Sequence, residues 1–329
     1  MSFEEYLSEF AGLPVLDFPS VPGQPVPEVE PDAVAWRVRT EPDAWPRSAV
    51  PRKQFAECFR AFLAEVDPAR VVALVIGNTS FDGAFDGAAA IDLLTGNAAA
   101  FQALRALFLA DVVREDSDVA YVEHEDLMPI FAAFPALEEF RVRGNLGYPD
   151  GDNAPAQFRP LVHLALRTLV FESGGLSPEV IRAVGESDLP ELEQLDFYFG
   201  DPEYGGGAGP EDIAWLLSGE KFPRLRRLGL RDAPNQDEIA GALAHAPLVA
   251  RLEELDLSLG TLGDEGAVAL LAGQPLTHLK RLDLHHHFMS AEMTERLAAA
   301  LPGVDLDVSE AAEPEVWDGV AHRYIAVSE

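Results

Sequence analysis

Aliphatic residues return along this chain in a fixed phrase. Leu252-Glu-Glu-Leu255-Asp-Leu257 states it, and Leu225, Leu228 and Leu230, then Leu279, Leu282 and Leu284, repeat it. Counted from the first residue of each phrase, the series runs Leu104, Leu137, Leu166, Leu192, Leu225, Leu252 and Leu279, at intervals of 33, 29, 26, 33, 27 and 27 residues. Self-similarity at this period means one structural unit laid down repeatedly. In each phrase the fourth and sixth positions are apolar around a variable residue, the period-two signature of a short strand buried on one side. Weaker copies extend the series, with Val71-x-x-Leu74-x-Ile76 and Val34, Trp36 and Val38 before it and Leu301-x-x-Val304-x-Leu306 after it, giving up to ten units.

Between the phrases the period changes. Ile239, Leu243 and Ala246 fall on one helical face, as do Val268, Leu271 and Ala272, and Met293, Leu297 and Leu301. Ser177-Pro178-Glu179, Gly209-Pro210-Glu211-Asp212 and Ser290-Ala291-Glu292 place caps, prolines or acids where helix N-termini favour them. Strand and helix in alternation predict an α/β solenoid of horseshoe form, with parallel strands on the inner face and helices outside. A unit that cannot bury its own apolar face must stack on its neighbours, so one array is expected over 33–308, unbroken from Val71 to Leu306. Residues 1–32 are expected to hold a short acidic amphipathic helix over Met1 to Leu13 and the proline-rich connector Val21 to Pro31. Residues 309–329 follow as a tail or cap.

The run from Leu252 through Leu262-Gly-Asp-Glu-Gly266 to Leu271 resembles the ribonuclease-inhibitor type of leucine-rich repeat. The resemblance covers Val71 to Val308, is most specific from Leu225 to Leu301, and implies a horseshoe of alternating strands and helices. The family's asparagine after the strand is replaced by Gly260 in one unit and His287 in another, so the turn bonding such an asparagine supplies is not expected there. The whole chain, including its Val327-Ser328-Glu329 end, also resembles uncharacterised bacterial leucine-rich-repeat proteins, which implies no activity.

Composition narrows the partners. Lys and Arg total 24 against 56 Asp and Glu, a formal net charge of −32, and repulsion from phosphates at that charge argues against nucleic acid or an anionic membrane. The same charge serves solubility, or a basic partner. The N-terminal stretch lacks the basic and apolar regions of a signal peptide, and no apolar run is long enough to span a bilayer. The single cysteine, Cys58, shares a helical stripe with Phe55, Phe59 and Phe62 and reads as a buried thiol, so a cytoplasmic location is expected.

Residues beside the buried leucines line the inner face. The position between the last two apolar residues reads Phe108, Arg141, Val170, Asp196, Gly229, Asp256, Asp283 and Asp305, and the position after them reads Ala110, Arg143, Glu172, Tyr198, Arg231, Ser258, His285 and Asp307. The C-terminal part is therefore acidic. Stacked about 4.8 Å apart, such aspartates repel and are expected to weaken the fold at low salt unless Arg227 and Arg281 neutralise them. His285-His286-His287 is the densest group of metal-ligand types. Alternation puts His285 and His287 on one side near Asp283 and Asp307, a set that suits zinc, but no further ligand spacing completes it, and the favoured reading puts His287 at the turn position with His285 facing solvent. Gly205-Gly-Gly-Ala-Gly209 lacks the Lys-Ser or Lys-Thr of a phosphate loop, and Ser173-Gly174 lacks a nucleophile-elbow frame.

The functional expectation is a noncatalytic scaffold that binds a protein or peptide, of basic character, on an acidic concave face. Tyr198, Arg227, Arg231, Asp256, Asp283 and His285 are the expected contacts. No cofactor is expected. The alternatives are a metal-dependent hydrolase or metal-binding protein built on Asp283, His285, His287 and Asp307, and a structural subunit of an enzyme complex.

Overall fold

Each leucine phrase becomes a strand because extending it puts its aliphatic side chains on one side, and laying the segments side by side buries that side continuously. The computed structural model describes residues 5–21, 23–40, 54–80, 85–146 and 157–327. Among these, twelve strands form one sheet in sequence order: β1 (Glu9–Phe10), β2 (Leu13–Asp17), β3 (Ala35–Val38), β4 (Ala73–Ile76), β5 (Ala106–Leu109), β6 (Glu139–Arg143), β7 (Thr168–Glu172), β8 (Gln194–Tyr198), β9 (Arg227–Arg231), β10 (Glu254–Asp256), β11 (Arg281–Asp283) and β12 (Asp305–Asp307). β1 and β2 are antiparallel, and every later pair of neighbours is parallel. Helices alternate with the strands: α1 (Phe55–Glu65), α2 (Gly87–Gly96), α3 (Met128–Ala133), α4 (Pro178–Glu186), α5 (Ala214–Leu217), α6 (Gln236–Leu243), α7 (Asp264–Ala272) and α8 (Ala291–Ala300). A hairpin of β13 (Glu315–Trp317) and β14 (Val320–His322) follows the sheet. No helix among the described residues is long and apolar enough to cross a membrane.

One apolar core runs between sheet and helices from Phe18 to Leu301. Its composition changes along the way. The N-terminal half is filled with rings, such as Phe62 stacked on Phe101 at 6.4 Å and Phe171 on Phe197 at 5.8 Å, and takes in the buried Cys58. The C-terminal half is leucine on leucine, for example Leu228, Leu255, Leu282 and Leu306 in register.

Helix starts follow the sequence at two of three positions. Ser177 Oγ accepts from the Glu179 amide and Ser290 Oγ from the Met293 amide. The Gly209–Asp212 stretch instead forms a turn, closed by the Gly209 amide on Asp212 Oδ2, before the four-residue α5. In α7 the buried residues are Gly266, Ala267 and Leu270, and Val268 is exposed, so its stripe lies off the expected Val268, Leu271 and Ala272. The small Gly266 and Ala267 let α7 approach α6 closely, which turns the helix to that face; a Cβ on Gly266 would stand 2.6 Å from Asp237 Oδ1.

The expected N-terminal helix is not formed. Met1 to Glu4 lie outside the described residues, and Glu9–Phe10 and Leu13–Asp17 are strands joined by Ala11 and Gly12, both at positive φ as a two-residue type I′ turn requires. Strand pairing wins because it extends the ladder from β3 and brings Phe10 onto Phe108, ring centres 6.0 Å apart. The last unit is also shifted. Leu306 pairs with Leu282, so Asp307, not Asp305, continues the inner column from Asp283.

Candidate inner-face site

One inner column runs in register through ten strands as Arg37, Val75, Phe108, Arg141, Val170, Asp196, Gly229, Asp256, Asp283 and Asp307. Its N-terminal part is covered. Phe10 packs with Ala35, Ala73, Val75, Ala106 and Phe108 in a second apolar cluster on this side of the sheet, with Leu7, Leu13 and Val15 against it.

Beside that cover lies a chain of ion pairs that the leucine spacing gives no sign of. Arg37 makes a two-pronged contact with Asp17 at 2.8 Å on each prong and reaches Asp111 at 2.9 Å. Arg143 stands 3.5 Å from the same Asp111 and bonds Glu172 at 2.8 Å, and Arg141 approaches Glu172 at 3.4 Å. Arg39 also reaches Asp17, at 3.0 Å, so four arginines surround three carboxylates, and Arg37, Asp111, Arg143 and Glu172 are all buried. Burial pushes the Glu172 carboxyl up, but Arg143 and Arg141 outweigh it and hold the group below its ordinary range. Arg141 and Arg143 also lie over the Phe108 ring, at 5.5 and 5.3 Å. Residues far apart in the chain meet here, Arg37 and Asp17 being 20 positions apart and Arg37 and Asp111 74 apart, which explains why local sequence patterns miss them.

The C-terminal part is polar and half open. Asp256 Oδ1 accepts from the Ser258 amide and hydroxyl and lies 3.2 Å from Arg231 Nε. Asp283 accepts from Arg281 at 2.8 Å, from His285 Nδ1 at 2.6 Å and from the His285 amide. Burial alone would raise its carboxyl, but the His285 and Arg281 bonds prevail and hold it well below the usual carboxylate range. Arg281 reaches Asp305 and Asp307 as well, at 2.7 and 3.2 Å. The aspartates therefore do not repel without compensation, because each bonds or pairs with a neighbour, but the one charge of Arg281 is shared among three of them and the face stays acidic. Asp196 differs: burial raises its carboxyl more than Arg231 lowers it. Arg227 donates to Gln194 at 2.9 Å and stays partly accessible.

Three expected site residues are placed otherwise: the contacts Tyr198 and Asp283, the latter buried at 7% exposure, and the metal candidate His287. Tyr198 is 1% exposed, beneath the Arg231 guanidinium at 4.7 Å and in a cluster with Val119, Leu259 and Val327, so it is an internal support and not a free surface ring. His287 is fully buried away from His285, with Nε2 donating to Val308 O at 3.0 Å and Nδ1 accepting from the Met289 amide at 3.1 Å. It thereby supplies turn bonding in a unit expected to lack it for want of the family's asparagine. Its departure from the metal-ligand set follows, since neither ring nitrogen remains. Asp283, His285 and Asp307 do converge, with donor atoms within 4.8 Å of one another. Arg281 already sets its positive charge on both of those carboxylates.

The fold is leucine-rich-repeat-like. A Bacteroides fragilis protein solved by a structural genomics consortium matches with 28% identity and a TM-score of 0.70, over 78% of this chain and 70% of that one. An internalin from Listeria monocytogenes aligns over 73% of this chain and 75% of that one at 14% identity, with a TM-score of 0.29, too low to bear on the argument. No protein-family model matches the chain, and no curated protein does so either.

Proposed function

We propose that the protein is a noncatalytic scaffold that binds a basic protein or peptide along the half-open inner face of β9–β12. The observation that carries this reading is the accessibility of Glu254, Asp256, Asp305 and Asp307 on one continuous face, while the nearby Arg231 and Arg281 are already engaged with carboxylates. Side chains held by their neighbours lose little freedom on binding, and accessible carboxylates on an ordered ladder favour lysine and arginine over acidic partners. Arg227, Arg231 and His285 stand at the border of this face and would fix register. The metal reading is weaker because a divalent ion at Asp283, His285 and Asp307 would have to displace Arg281. A cytoplasmic location goes with the reading, on the strength of the lone buried thiol.

Selection from a random peptide library tests it. Recovered peptides should be enriched in lysine and arginine, and Glu254→Lys/Asp305→Lys should weaken their binding at least about tenfold with the melting transition unchanged. Peptides without basic enrichment, or equal binding by the variant, would exclude the acidic face as the recognition surface.

A further inference from the structure

Four successive units carry a residue in the left-handed region at the same place after the strand: Asp232, Leu259, His286 and Glu310, at φ of 55°, 67°, 54° and 57°. None is glycine, and such a backbone costs energy for ordinary residues, so four units share the same strained bend along one edge of the sheet. Three of the four hold one segment of this same chain. His286 Nε2 donates to Tyr324 O at 3.1 Å, Leu259 O accepts from the Ala326 amide at 2.8 Å, and Asp232 Oδ1 accepts from the Val327 amide at 3.0 Å. The segment therefore runs across the strands, one bond to each unit.

Its side chains alternate. Ile325 and Val327 are buried, Tyr324 and Ala326 are exposed, and Val327 reaches the pocket formed by Tyr198, Leu259 and Val119. Backbone bonds to a fixed edge with every second side chain in a pocket is the way an extended peptide is recognised. The connection to the rest of the fold is loose. From Glu313 to Tyr324 every residue is exposed, including both strands of the β13–β14 hairpin, and Arg323 fastens this stretch, to Asp237 at 2.8 Å and to Thr261 O at 3.0 Å. Leaving this seat would break few contacts.

We propose that the edge formed by Asp232, Leu259 and His286 is a binding site for an extended segment carrying aliphatic side chains two residues apart. Residues Tyr324–Val327 occupy it in cis and yield it to such a segment on another protein. The site lies beside the acidic inner face and does not depend on it. The Asp232 carboxyl suits this role, since it is buried at the edge and its Oδ1 takes the incoming amide. A cis occupant lowers the apparent affinity for any competitor by the fraction of time the seat is free.

The test uses the full chain and a fluorescent peptide with the sequence His322–Val327. In Ile325→Ser/Val327→Ser the seat is emptied, and the peptide should bind at least about tenfold more tightly than to the wild-type chain. The same peptide with serine at its two aliphatic positions should not bind. A natively melting variant that fails to bind the peptide, or equal binding by variant and wild type, overturns the proposal. Hydrogen exchange on the unaltered chain gives a check that needs no variant. The Ala326 and Val327 amides should exchange at least about a hundredfold faster than those of Leu257 and Leu284, which bond the neighbouring strand segments at 2.9 and 2.8 Å. Equal protection would mean the segment is a fixed part of the fold.

Discussion

Between β3 and β7 the inner face is closed, with Phe10 over Val75 and Phe108 and four arginines pairing three carboxylates beside them. Between β9 and β12 the same face is half open, and its charges are paired at the rim, as when Arg281 spans the accessible Asp305 and Asp307 while also reaching the buried Asp283. The repeat is the same in both halves; the difference lies in what covers it. Under cover, an ion pair is committed, because removing one partner strands a charge that water cannot reach. At the rim, water substitutes for a lost partner, so the residues are open to exchange for those of another molecule.

That contrast is directly breakable. Arg143→Ala should destabilise the fold by about 3–5 kcal/mol in urea unfolding, since Glu172 and Asp111 would be left buried, whereas Arg281→Ala should cost under about 1 kcal/mol. Similar losses for the two would mean that the covered and open halves are not different in kind. Within the closed half, His124 lies buried with Nε2 on Arg143 O, and burial depresses it to about 4 against that bond. The folded state therefore holds the ring neutral. Its contribution is present above the unfolded value of 6.5 and is lost as pH falls toward 4, on the order of 3 kcal/mol; His124→Gln should flatten that stretch of the stability profile.

Smaller effects sharpen the open half. Asp283→Asn should destabilise by about 1–2 kcal/mol through the lost Arg281 and His285 bonds, with little response to salt, whereas a rise in melting temperature at low salt would restore the picture of a repelling column. Its lowered carboxyl gives the sign with pH: the contribution is full above the unfolded carboxylate value and fades as pH falls through the folded one. Asp232 has the opposite sign. Burial raises its carboxyl well above the ordinary value against the bond from Val327, so stability declines as pH rises above the unfolded value, and Asp232→Asn should remove that slope.

The solenoid was legible because its signal is local: two or three leucines within six residues determine a strand and its buried side. The inner column was legible too, down to Asp256 and Asp283, since alternation decides which residues face inward. What escaped depends on distant pairing. The turn at Ala11-Gly12 and the alternation of Leu13 and Val15 were the available signs of the N-terminal hairpin, and three glutamates among apolar residues read equally well as a helix. The register of β12 slipped because Val304, Leu306 and Val308 all fit the phrase. Tyr198 was a correct inner position with the wrong exposure, since its cover comes from Val327, more than a hundred residues later.

A stack of repeats in which each touches only its neighbours can melt from either end, one unit at a time. Val327 bonding Asp232, 95 positions away, and Arg323 bonding Asp237, 86 away, bypass that nearest-neighbour order. While Tyr324–Val327 are seated, these bonds tie the units of β9, β10 and β11 together, so that the three fray as a block. A molecule that took the place of Tyr324–Val327 would thereby also set how the end of the array unravels, so occupancy at the edge could be read as a change in the lifetime of the protein, with no change of shape at the site.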